Sequence, residues 1–196
     1  MNGDGYDDVI VGANLFDAGQ VDEGAAYIFL GSATGIADGS PVNAAAEFRS
    51  DQEGSNLGVS VAGAGDVNGD GYDDVVVGSD RFDAGLSAGG AAFVLFGSSS
   101  GVPNGNPATA AMRFYTNQIN GNIGYYPSGV ASAGDVNGDG YGDAIVRAPN
   151  YDSGEAGEGA AFVFLGGVAG IEDGTPLSAP AMIQSKPRGS ATRSQC

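Results

Sequence analysis

The nine residues Asp66-Val67-Asn68-Gly69-Asp70-Gly71-Tyr72-Asp73-Asp74 place oxygen-bearing side chains at their first, third, fifth and ninth positions. Gly71, at the sixth, permits a sharp turn, and the main-chain carbonyl of Tyr72 offers an oxygen at the seventh. An oxygen-only set at this alternate spacing suits a hard dication. Ca²⁺ accepts about 6–8 such ligands in flexible geometry and fits better than Mg²⁺, which demands a strict octahedron. Asp135, Asn137, Asp139, Tyr141 and Asp143 form a second complete set. Asn2, Asp4, Tyr6 and Asp8 form a truncated third: Met1 stands where Val67 does, so a counterpart of Asp66 would precede the sequence. Two complete calcium loops and one truncated loop are therefore expected. Asp73 is not assigned as a ligand, because Gly142 takes its place in the other complete copy. An EF-hand shares the first six positions but needs a glutamate at the twelfth and flanking helices. Val77 and Val146 stand there instead, so each loop is expected to close early, onto a strand. A plain Asx-rich turn would use the same residue types, but two full ligand sets and most of a third favour the metal.

Such loops need elements to hold them, and the spacing of the repeats supplies the plan. Asn2-Gly-Asp-Gly-Tyr-Asp-Asp8 returns as Asn68 to Asp74 and again, with one change, as Asn137 to Asp143, at offsets of 66 and 69 residues. Gly-Ala-Ala-aromatic follows Asp8, Asp74 and Asp143 after 16 residues, Gly31, Gly97 and Gly166 follow 7 later, and Phe48, Phe114 and Ile183 a further 17 later. The 3-residue difference in period arises between Phe114 and Asp135. Apolar runs bounded by Gly, Asn, Asp, Ser and Pro predict four short strands per unit, in the middle copy about Leu57–Ala64, Asp74–Ser79, Ala91–Gly97 and Ala111–Tyr115. Ala92-Phe-Val-Leu-Phe96 is apolar at consecutive positions, as in a strand covered on both faces. A four-stranded unit of that kind, repeated radially, is a propeller blade. A β-sandwich would not need three near-copies of one loop. The expected class is all-β, with about two and three-quarter blades: residues 1–52 lacking a first strand, 53–118 complete, 119–185 the third, and 186–196 a divergent, disordered tail.

Leu57-Gly-Val-Ser-Val-Ala-Gly-Ala-Gly-Asp66, the loop, and Val75-Val-Val-Gly-Ser-Asp80 together resemble the FG-GAP repeat of integrin α-subunit propellers. The stretch from Ile123-Gly124 to Arg147-Ala-Pro149 does so too. Leu57-Gly58 and Ile123-Gly124 stand for the Phe-Gly of the name; Gly12-Ala-Asn14, Gly78-Ser-Asp80 and Arg147-Ala-Pro149 stand for its Gly-Ala-Pro. The resemblance covers residues 1 to about 185. It implies a seven-bladed ring with calcium on the face opposite the ligand-binding loops, of which this chain carries fewer than three blades. Phe16, Phe82 and Tyr151 recur beside Asp17, Asp83 and Asp152 and are read as packing between blades rather than a carbohydrate platform.

Composition narrows the function. The formal charge of −17 would repel nucleic acid, and bound dications would offset its self-repulsion. Histidine is absent, which removes the commonest general base and metal-binding imidazole, so Gly97-Ser-Ser-Ser-Gly101 is a turn rather than a nucleophile elbow. Cys196 is the only cysteine, no Asn-x-Ser/Thr sequon occurs, and neither a membrane-spanning run nor a signal peptide is present in this stretch. The expectation is a non-enzymatic, integrin-like module for extracellular interaction or adhesion, secreted or on a cell surface, with bacterial origin favoured by the lack of disulfides and sequons. Its partners would be a protein or glycan ligand, and further blades or a second copy. The alternative is the propeller domain of a secreted hydrolase, lyase or carbohydrate-binding protein.

Overall fold

The computed structural model describes residues 1–125, 128–154 and 156–184. It contains eleven strands in three antiparallel sheets, each sheet following chain order. The first sheet is β1 (Val9–Ala13), β2 (Ala25–Phe29) and β3 (Ala46–Arg49); a single 3-10 turn, Pro41–Asn43, precedes β3. The second is β4 (Leu57–Gly65), β5 (Asp74–Ser79), β6 (Ala91–Leu95) and β7 (Met112–Tyr115). The third is β8 (Val130–Gly134), β9 (Asp143–Ala148), β10 (Ala160–Phe164) and β11 (Ala181–Gln184). The protein is all-β, built of propeller blades that stack in an open arc without closing into a ring. The tail at 186–196 lies outside the described residues.

Two apolar layers hold the arc together. Between the first and second blades, Ala26, Ile28, Ala46 and Phe48 pack against Leu57, Val75, Val77, Ala91 and Phe93. Between the second and third, Val76, Ala92, Val94, Met112 and Phe114 pack against Ala144, Val146, Ala160, Phe162 and Phe164. Along β5 and β6 neighbouring residues thus face opposite junctions, which is why Val75–Val77 and Ala91–Leu95 are apolar without interruption. Strand β6 ends two residues before the expected Gly97, whose N–H is drawn away by the Asp74 carboxylate. The 3-residue insertion precedes β8, the first strand of the third blade. Residues 125–128 replace the single Val59, and Gly124 and Gly129 bridge each other across them.

At the junctions, backbones approach too closely for side chains. Gly58 has φ +83°, and a Cβ there would lie 2.3 Å from the Ala25 carbonyl oxygen; one on Gly12 would lie 2.0 Å from that of Gly58. The glycine in the Leu57-Gly58 pair is therefore where one blade seats on the last. Gly54 also has a positive φ, +68°, but faces open space. Gly54→Ala is expected to cost about 1–2 kcal/mol of left-handed strain, and Gly58→Ala clearly more, because it adds a backbone overlap. Urea denaturation of the two variants measures this, and equal losses would contradict the seating.

The repeated aromatics border the layers between blades, as their spacing suggested: Phe82 packs against the first layer and Tyr151 is part of the second, each meeting rings of its own sheet. Phe82 meets Phe93 edge-on at 5.3 Å and stacks on Tyr115 at 5.9 Å, and Tyr151 meets Phe162 at 5.2 Å. Each reaches from the connection between the second and third strands back over its own sheet. The stretch Gly97 to Gly101 is a turn closed by the Gly101 N–H donating to the Ser98 carbonyl at 2.8 Å.

Candidate metal centre

Each complete metal loop links the first and second strands of a blade: residues 66–73 join β4 to β5, and 135–142 join β8 to β9. In the first of these, Asp66 Oδ1 accepts the N–H groups of Gly69 (2.7 Å) and Asp70 (3.1 Å), and Oδ2 that of Gly71 (2.8 Å). Asn68 Oδ1 accepts from Asp70 N at 3.0 Å, and the Asn68 amide donates to Asp70 Oδ2 at 3.0 Å. Asp70 Oδ1 accepts from Tyr72 N at 2.9 Å. The third-blade loop repeats this bond for bond with Asp135, Asn137, Asp139 and Tyr141. In the first blade Asn2, Asp4 and Tyr6 keep the part of the pattern that their residues allow. The short Asx side chains curl the backbone around themselves and shape the turn.

Asp74 sits apart from these exposed groups. It is fully buried; Oδ2 accepts from Val67 N at 2.9 Å and Oδ1 from Gly97 N at 2.8 Å. Asp143 is held in the same way by Val136 N (2.7 Å) and Gly166 N (2.8 Å), and Asp8 by Asn2 N (3.1 Å) and Gly31 N (2.9 Å). The ninth residue of each loop therefore ties the loop to the end of the third strand. Gly31, Gly97 and Gly166 were visible in the sequence only as evenly spaced landmarks. Their constant distance from the aspartate was the available signal.

Burial pushes the Asp74 carboxyl up to about 6; the Asp70 and Asp66 charges push the same way, against the pull of the Gly97 and Val67 N–H groups. Exposed Asp135 lies below the usual carboxylate range, held there first by the Gly140 N–H and then by those of Gly138 and Asp139. Among the described residues no three acidic side chains converge into one cluster. Each complete loop offers instead two carboxylates (exposed, save for half-buried Asp66), an amide oxygen, one buried carboxylate, and the carbonyl of Tyr72 or Tyr141, which accepts no hydrogen bond among the described residues. Each carboxylate oxygen that accepts one N–H keeps lone-pair capacity. The donor set is all oxygen, with free carbonyl capacity, and it fits a hard dication.

The FG-GAP repeat model matches this chain three times, at residues 1–29, 57–95 and 126–164, which together span more than half of it. The chain belongs to the FG-GAP repeat family. Each FG-GAP match in the second and third blades contains one complete loop and the seating glycine or the strands around it. Integrin alpha-PS2 of Drosophila melanogaster is 35% identical over 142 residues, covering 67% of this chain and 9% of that protein. Integrin alpha-7 of Rattus norvegicus is 36% identical over 103 residues, 52% of this chain and 8% of that protein. Integrin alpha-PS3 of Drosophila melanogaster is 29% identical over 170 residues, 78% of this chain and 13% of that protein. This FG-GAP chain thus spans about a tenth of the length of the curated relatives it matches, and it is integrin-alpha-like over most of its own.

Proposed function

We propose that this chain is a calcium-binding, non-enzymatic propeller module of an extracellular or cell-surface interaction protein. The observation that carries the calcium reading is the pair of oxygen-lined loops built on the same hydrogen-bond pattern 69 residues apart. Asp66, Asn68, Asp70, the Tyr72 carbonyl and Asp74 would hold one ion, and Asp135, Asn137, Asp139, the Tyr141 carbonyl and Asp143 another. Asn2, Asp4, Tyr6 and Asp8 would hold a third more weakly. The role of the metal here is to clamp loops between strands. Likeness to integrin α subunits supports the extracellular setting and a protein or glycan ligand. Titration calorimetry on chelator-treated protein is expected to find two strong sites and one weak one, with the strong sites lost in an Asp70→Ala, Asp139→Ala double variant. A stoichiometry below one, or binding unchanged in that variant, would sink the assignment.

The outward faces of the arc would take further blades, from a longer chain or from a second copy. Val9, Val11 and Ile183 are 42%, 45% and 58% exposed, whereas Val75, Val77 and Phe114 at the equivalent inner positions are fully buried. Exposed apolar faces of this kind promote association. Light scattering of the isolated chain is expected to give a mass above 19.3 kDa; a monodisperse monomer of that mass would contradict it.

A further inference from the structure

The two complete loops are not independent. The Asp66 carbonyl at the head of one accepts the N–H of Gly142 in the other at 2.7 Å. Gly142 lies between Tyr141 and Asp143, two of the proposed donors of the third-blade loop. The same peptide unit that presents the Asp66 carbonyl carries the Val67 N–H, which donates to Asp74 Oδ2 at 2.9 Å. One peptide plane thus accepts from one loop and donates to the last ligand of the other. A second path runs beside it: the Val67 carbonyl accepts from Gly167 N at 3.0 Å, and the adjoining Gly166 N–H donates to Asp143 Oδ1 at 2.8 Å. The Tyr141 ring also lies on Gly69, so close that a Cβ there would sit 2.5 Å from its Cε1.

We propose that these two loops bind calcium cooperatively, coupled through the peptide unit between Asp66 and Val67. This rests on the calcium reading above. Closing either loop fixes the shared peptide and the tyrosine contact. The other loop then binds with less of its ordering cost left to meet, and hydrogen bonds in series strengthen one another. The coupling is reciprocal, so each site strengthens the other by one common factor, on the order of 5-fold or more.

Calcium titration calorimetry on the chelator-treated full chain tests this with three proteins: the parent, Asp139→Ala, which disables the third-blade loop, and Asp70→Ala, which disables the second. The parent should fill its two strong sites with a Hill coefficient above one. The loop left in each variant should bind about 5-fold or more weakly than in the parent, by the same factor in both. Tyr141→Ala keeps every donor, since its ligand is a main-chain carbonyl, and should retain both sites with reduced coupling. Circular dichroism of the metal-free variants against the metal-free parent separates lost affinity from lost fold, and the nearly isosteric Asp139→Asn or Asp70→Asn replaces the corresponding alanine variant if it misfolds. Two sites in the parent with unchanged affinity in both variants would overturn the coupling and leave the calcium reading intact. No uptake by the parent would overturn both.

Discussion

Truncating Phe114 to alanine is expected to cost about 3–5 kcal/mol, a large share of a domain's stability. Phe114 is fully buried, and its ring meets those of Phe162 at 5.4 Å and Phe164 at 4.4 Å, both on the neighbouring blade. Its backbone bridges Gly174 of that blade as well. The substitution removes a ring from a closed layer whose other members, on rigid strands, cannot collapse into the space. Ile183 holds the equivalent place on the third blade but faces outward, so Ile183→Ala should cost no more than about 0.5 kcal/mol. Urea midpoints of the two variants give the comparison. Similar losses at the two positions would mean that stability does not come from blade-on-blade burial.

Chelating calcium is expected to lower the melting temperature by roughly 6–11 °C. The metal-free loops carry a cost that a dication offsets: Asp74 is buried and faces the charges of Asp70 and Asp66. With a dissociation constant near ~10⁻⁴ M and ~1 mM calcium, each complete site adds about 1.4 kcal/mol, or about 3 kcal/mol for two. For a chain of this size each kcal/mol moves the midpoint by about 2–4 °C. The Asp70→Ala, Asp139→Ala double variant should melt at one temperature with or without chelator. A parent protein equally indifferent to chelator would mean that its loops are ordered without metal.

Much of this architecture was legible because a repeat makes its own alignment. The offsets of Asp8, Asp74 and Asp143 located the sheets, and the unbroken apolar run from Ala92 to Phe96 already required cover on both faces. Two things were not legible. Close backbone approach leaves no trace in polarity, so Gly58 and Gly12 were legible as signature positions of the repeat but not as the places where blades touch. Tertiary hydrogen bonds of main-chain N–H groups are equally silent: Gly97 and Gly166 bind the Asp74 and Asp143 carboxylates, and Gly142 reaches Asp66 across the junction. Phe82 and Tyr151 were recognised as packing residues, but their spacing could not tell which sheet they would cover. The insertion was confined to a window by the periods alone. Its place at Val59 emerged only from the bridge between Gly124 and Gly129.

Calcium in these loops is the central claim, and anomalous diffraction from crystals grown with calcium tests it most directly. The expected result is one anomalous peak within about 2.3–2.6 Å of the oxygens of Asp66, Asn68, Asp70 and the Tyr72 carbonyl, with Asp74 completing the set, and an equivalent peak at Asp135 to Asp143. Loops that keep their Asx hydrogen bonds around water, with no anomalous peak at either, would contradict it.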